Sequence, residues 1–280
     1  MTAESTLSIF TASDGDNVIA QDWPLDPDVK LRGVVIVVHG LGEHAGRYDH
    51  VAEQLNAWGF AVRGYDQCGH GESGGARGSL PSDTRLLDDL ADMVDSIRSR
   101  TPKGTPVILL GHSMGGLVVG RFVSLGLRKV DGLVMSSPAL DVGMNAFQKF
   151  LISVLLKIAP DLRVGNGVKP QFISHDPAVV AKYKADRLVH DRISARLANF
   201  IASEGPRTLE LAPKWTVPTL LLYAGDDRLL NPEGSRTFAA MAPKDVVTSQ
   251  CFENMYHEIF NEQDAKPVFA ALKQWLDQRF

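Results

Sequence analysis

Pro106-Val-Ile-Leu-Leu110 runs directly into Gly111-His112-Ser113-Met114-Gly115-Gly116. The first five residues are a short apolar run, the pattern of a strand buried on both faces of a parallel sheet. From Met114 to Leu125 the pattern is helical, so one serine occupies the turn between a strand and a helix. Gly-x-Ser-x-Gly alone is modest evidence, because a chain with 25 glycines meets it readily by chance. The setting gives it weight. A strand–turn–helix elbow holds the Ser113 hydroxyl clear of the sheet, and the helix N-terminus favours negative charge beside it. The tight turn needs small flanking residues, and Gly115 and Gly116 let the helix approach the adjacent strand. Ser113 is therefore the predicted nucleophile.

Outward from this elbow, further strand-like runs appear at Val34 to Val38, Phe60 to Tyr65, Gly132 to Ser136, Val217 to Tyr223 and Val246 to Phe252. Helical patterns separate most of them, at Tyr48 to Trp58, Thr84 to Arg100, Pro232 to Met241 and Asp264 to Gln278. Such alternation predicts an α/β fold with a mostly parallel central sheet and helices on both faces. Leu7 to Trp23, around Asp14-Gly15-Asp16-Asn17, reads as a hairpin on the sheet edge. From Asp141 to Trp215 the rhythm breaks, with helical segments such as Phe147 to Ile158 and Asp191 to Ser203 and no convincing strand. The expected organisation is a core of residues 1–140 and 216–280 with a helical cap, 141–215, inserted above the carboxyl ends of the strands. Phe147 to Ile158 is apolar around most of its circumference, so it requires either burial or an apolar surface to lie on.

Composition narrows the class. At 280 residues, 44% hydrophobic and 22% charged, the chain is an ordinary globular protein without repeats or low-complexity runs. A net charge of −4 argues against a nucleic-acid partner. Met1 to Phe10 lacks the pattern of a secretory signal, and Phe147 to Ala159 is too short to span a bilayer. Cys68 and Cys251 have no metal-type spacing and cannot make a disulfide framework; Cys251 reads as buried filler, and Cys68 lies in a Gly-rich loop open to exposure. A cytoplasmic protein without metal or organic cofactor is expected.

A serine nucleophile needs a base and an acid, which in elbow hydrolases follow it in the order acid, then histidine. Of the histidines after Ser113, His175 and His190 fall in the expected cap, whereas His257 follows the last strand. His257 is the predicted base. Asp226 and Asp227 follow the strand ending at Tyr223, with Asp141 a weaker rival, and position alone does not separate the adjacent pair. Met114 N–H and an amide of His39-Gly40-Leu41-Gly42, that of Leu41, are the expected oxyanion donors. His39 precedes the nucleophile and reads as a hydrogen-bonder holding that loop.

With these residues in place the chain resembles the monoacylglycerol lipase family, an α/β-hydrolase family that includes bacterial monoglyceride lipases and related lysophospholipase-like enzymes. The resemblance rests on His39-Gly-Leu-Gly-Glu-His-Ala-Gly-Arg-Tyr48, Gly69-His-Gly-Glu-Ser73, Gly111 to Gly116, Gly225-Asp-Asp-Arg228 and Tyr256-His257, in order through almost the whole chain. It implies that the acid is Asp227, which directly precedes the arginine, and it supports Leu41 and Met114 as oxyanion donors. It also implies alcohol-side roles for Glu43, Arg47, His112 and Tyr183. Where some relatives carry a second histidine three residues after the catalytic one, this chain has Phe260.

The implied reaction is hydrolysis of a monoacylglycerol, a small amphipathic ester, to glycerol and fatty acid through an acyl-enzyme. Transient contact of the cap with a membrane surface accords with that substrate. A carboxylesterase or lysophospholipase would use the same triad. An aminopeptidase on this fold would need acidic groups for a free amine, which Glu43 alone does not supply. A non-catalytic binder would lack a triad member, whereas here every role has a candidate.

Overall fold

The computed structural model describes residues 5–280; residues 1–4, where the segment read for a leader begins, lie outside it. In chain order the elements are β1 (Thr6–Thr11), β2 (Asn17–Trp23), β3 (Gly33–Val38), α1 (Asp49–Ala57), β4 (Phe60–Tyr65), α2 (Arg85–Arg100), β5 (Val107–His112), α3 (Met114–Ser124) and β6 (Gly132–Ser136). Then come α4 (Ala146–Ile158), β7 (Arg163–Gly165), α5 (Pro177–Ala185), β8 (Arg192–Ser194), α6 (Ala195–Leu211), β9 (Thr219–Ala224), α7 (Glu233–Met241), β10 (Val247–Phe252) and α8 (Lys266–Arg279).

Eight strands form one sheet in the order β1-β2-β4-β3-β5-β6-β9-β10. Only the β1–β2 and β2–β4 pairs are antiparallel, so the expected hairpin caps one edge of a parallel sheet. The fold is that of an α/β-hydrolase. β3 is buried along its whole length, and its alternation sends Val34, Ile36 and Val38 to one face and Val35 and Val37 to the other. The first face packs on α2 and α3 through Leu86, Leu90 and Leu117; the second meets α1 and α8 through Val51, Leu55 and Leu272. Each fully buried aliphatic side chain of this kind contributes about 1.5–3 kcal/mol. Two well-covered faces make the sheet a rigid platform for the loops at its carboxyl edge.

The excursion between β6 and β9 differs in detail from the sequence reading. β7 and β8 form a small antiparallel pair, Val164 opposite Ile193. Strands of three mostly exposed residues carry no apolar alternation, which is why the pattern missed them. The helix expected from Asp191 starts at Ala195, where the Ser194 hydroxyl accepts from Leu197 N–H as an N-cap. None of the residues of α4 is buried, and Phe147, Phe150 and Ile158 are 71%, 63% and 73% exposed. Burial is thus not the resolution of its apolar circumference. Cys68 is buried rather than exposed, and Cys251 is half-buried. No helix among the described residues is long and apolar enough to cross a membrane.

Candidate active site

Ser113 sits between β5 and α3 with φ 55° and ψ −120°, a left-handed conformation uncommon for a residue with a side chain. The surroundings enforce it. Ser113 N–H donates to Ser136 C=O at 3.0 Å, and its own C=O accepts from Leu117 and Ala139 N–H groups. α3 then lies so close to β3 that a Cβ on Gly115 would fall 2.0 Å from Val38 O. Only glycine fits there, as the elbow reading anticipated.

His257 and Asp227 arrive from the loops after β10 and β9. His257 Nδ1 and Asp227 Oδ2 are 2.6 Å apart, and both side chains are buried. Asp227 Oδ1 accepts from Leu229 and Leu230 N–H groups at 2.9 and 3.0 Å, which fixes the carboxylate plane. Burial works against the charged imidazole, but the charge and hydrogen bond of Asp227 outweigh it and lift the His257 pKa above its ordinary value. Burial likewise works against the Asp227 carboxylate, and His257 together with the two amides holds its pKa below the usual range. Its neighbours are placed elsewhere: Asp226 points outward to Arg228 at 3.1 and 3.0 Å, and Asp141 binds Asn231 and Gly143.

The loop after β3 packs directly on Ser113, since a Cβ on Gly40 would lie 3.2 Å from Ser113 Cβ. His39 holds this loop: its Nδ1–H donates to Gly40 C=O at 2.8 Å while Nε2 accepts Gln67 N–H at 2.9 Å. Glu43 fastens the other side, taking Gly40 N–H at 2.5 Å and the Tyr48 hydroxyl at 2.7 Å on Oε1 and pairing with Arg47 through Oε2. Arg47 also grips Glu258 with two bonds of 2.8 Å and lies 4.8 Å over the Tyr183 ring. Burial would raise the Glu43 pKa, but the Arg47 charge prevails and holds it at about 2. The His112 ring lies tilted at 52° against that of His257, centroids 4.7 Å apart, and its Nδ1 lies 3.1 Å from Ser136 Oγ. Burial and then the neighbouring His257 push its pKa down to about 4, so it is neutral.

All of these come together. Ser113, His257, Leu41, Met114, Glu43, Arg47, His112 and Tyr183 line one cavity of about 250 Å³, and Asp227 stands behind His257. Its roof is apolar, with Val142, Met144, Ile193 and Ile201 from the excursion and Leu229 and Leu230 from the loop after Asp227. Glu258 is the residue that sequence reasoning passed over. Adjacency to His257 was the only local signal; its partner Arg47 is 211 positions away. The Arg47–Glu258 bond ties the loop that carries His257 to the loop after β3. Among the described residues no cluster of three potential metal ligands occurs.

The model of the hydrolase family described as serine aminopeptidase, S33, matches residues 29–264. A monoacylglycerol lipase of Mycolicibacterium smegmatis is 34% identical, covering 95% of each chain. The chain belongs to the monoacylglycerol lipase family of α/β-hydrolases. Within that family, the crystal structure of a Paleococcus ferrophilus monoacylglycerol lipase superposes with a TM-score of 0.82 at 34% identity, covering 99% of this chain and 100% of that one. The chain also matches an uncharacterized abhydrolase domain-containing protein of Dictyostelium discoideum at 33% identity over 98% of its length, spanning 29% of that longer protein.

Proposed function

We propose that the chain hydrolyses the ester bond of monoacylglycerols, giving glycerol and a free fatty acid through an acyl-enzyme on Ser113. The observation that carries the reading is the cavity itself: an elbow serine and a buried His–Asp pair open beneath an apolar roof and beside a polar end. His257, held by Asp227, takes the proton as Ser113 attacks the carbonyl carbon. The Leu41 and Met114 amides receive the oxyanion, and His257 returns the proton to the departing glycerol oxygen. Water activated by the same histidine then releases the acid. The acyl chain runs under Ile193, Ile201 and Leu230; the glycerol faces Tyr183 and the Glu43–Arg47–Glu258 network.

An aminopeptidase reading fits poorly. Glu43 and Glu258 are the cavity's carboxylates, and both are bound by Arg47. Neither carboxylate is therefore free to pair with the ammonium group of a peptide N-terminus. Residues 141–215 act in this reading as a lid, and the exposed apolar face of α4 rests on the membrane surface that supplies the substrate.

The test is direct. Ser113→Ala is expected to lose monoacylglycerol turnover and covalent labelling by a fluorophosphonate probe while keeping the fold by circular dichroism. Turnover retained by this variant sinks the proposal.

A further inference from the structure

Two described residues other than glycine have a left-handed backbone: Ser113, at φ 55°, and Ser137, at φ 39°. Such conformations resist a side chain and persist where surrounding contacts over-determine them. Ser113 owes its own to the elbow. Ser137 takes no part in the proton path, yet it is buried and directly follows Ser136, whose C=O accepts the Ser113 N–H. Its strain calls for a separate reason.

The hydrogen bonds supply one. A parallel ladder has evenly spaced rungs. The Leu133 and Ser137 N–H groups donate to Pro218 and Leu222 C=O at 2.9 and 2.8 Å, so the next rung would carry the Ala224 N–H, at the end of β9, to Ser137 C=O. That buried N–H donates instead to Ser137 Oγ, at 3.3 Å. The hydroxyl takes the carbonyl's place, and the chain is released to turn beneath α3. There a Cβ on Gly116 would fall 2.9 Å from Pro138 Cα, and Ala139 N–H donates to Ser113 C=O at 2.9 Å. Residues 136 to 139 thus bond the elbow through both the N–H and the C=O of Ser113, while Ser137 in their middle holds the end of β9. Ala224 leads straight into Asp227, and its neighbour Gly225 donates to Phe252 C=O at 2.9 Å, where β10 ends before His257.

We propose that Ser137 is a positioning residue: through its hydroxyl it joins the Ser113 elbow to the loops that carry Asp227 and His257, and so sets where the imidazole stands relative to the serine. The proposal rests on the reading of Ser113, His257 and Asp227 as a triad. Asp227 and His257 lie on the same side of this joint and are bonded to each other at 2.6 Å. Loosening the joint therefore shifts the pair as a unit away from its productive placement and leaves the proton affinity of the imidazole alone. Acylation and deacylation both pass a proton through His257, so both steps slow, whereas the apolar roof and the polar end that hold the substrate are untouched.

The experiment compares Ser137→Gly and Ser137→Ala with the wild type on a short-chain, water-soluble monoacylglycerol. Glycine adopts the positive φ freely, so Ser137→Gly removes the hydroxyl without adding strain. In this variant kcat is expected to fall about 10–100-fold, with the rate of fluorophosphonate labelling falling alongside. KM is expected to stay within about twofold and the acidic limb of the pH profile to stay in place. Ser137→Ala is expected to show the same loss of kcat and a lower urea midpoint than Ser137→Gly. The proposal is overturned by a Ser137→Gly kcat equal to that of the wild type, which leaves the hydroxyl a role in stability alone. A raised KM with kcat held overturns it by placing Ser137 in substrate binding, and an acidic limb that moves does so by placing the damage within the Asp227–His257 pair. Failure of Ser137→Gly to fold overturns it as well. A wild type that hydrolyses no ester defeats the triad reading itself, and this proposal with it.

Discussion

Ser113 is held where a residue with a Cβ resists going, at φ 55°. Conformations of this kind cost about 1–3 kcal/mol and persist only where surrounding contacts over-determine them. Ser113→Gly is therefore expected to be more stable than Ser113→Ala by about 1–2 kcal/mol, read as the shift in urea midpoint; equal midpoints refute the strain. At its partner residue the sign is set by Asp227. In the proposed mechanism only neutral His257 accepts the serine proton, so kcat/KM is expected to rise with pH through a pKa lifted above the ordinary imidazole value. Asp227→Asn is expected to lower kcat on the order of 10³–10⁴-fold and move the acidic limb to lower pH. A limb that stays in place shows that Asp227 does not set the histidine's proton affinity. At this scale the sequence was legible where chemistry imposes a local pattern. Gly111 to Gly115 mark the elbow because only small residues survive its close contacts. Asp227 and Asp226 were not separable by position, since their difference is orientation: one carboxylate is clamped by two amides and an imidazole, the other turned to solvent and Arg228.

Among the elements, α4 departs furthest from what soluble proteins do with apolar helices. Its capping box, Asn145 with Gln148, starts it firmly, yet Phe147, Phe150 and Leu151 face outward. Phe147→Asp with Phe150→Asp is expected to abolish co-sedimentation with phosphatidylglycerol vesicles, leaving hydrolysis of a short, water-soluble ester within about twofold. Binding that survives the double substitution places the contact elsewhere. Long elements with a clear period, β3, β5, α2 and α3, were legible because burial on both faces or on one stripe shapes composition directly. The β7–β8 pair and α5 were not. They are short and largely exposed, and their positions follow from tertiary contacts such as the Ser194 N–H to Gly78 C=O bond rather than from any pattern of their own.

For the whole molecule, the proposed catalytic groups come from the ends of β3, β5, β9 and β10, which the sheet order β3-β5-β6-β9-β10 gathers at one edge. The Arg47–Glu258 bond was illegible for the same reason that it matters, since it joins residues 211 apart that become neighbours only when the sheet is complete. One feature of that order reaches further. β6 and β9 are adjacent and in register, Ser136 beside Leu222, although the entire excursion separates them in sequence. Because the pair is parallel, the excursion leaves at the carboxyl end of β6, Ser136, and re-enters at the amino end of β9, Thr219, which lies opposite Leu133. The entropy of closing such a loop grows only as the logarithm of its length, about 0.6 kcal/mol for each doubling. Insertions in the exposed part of the roof are therefore expected to cost little stability, whereas loss of α6, which places Leu197, Phe200 and Ile201 in the main hydrophobic core, is expected to unfold the platform with it.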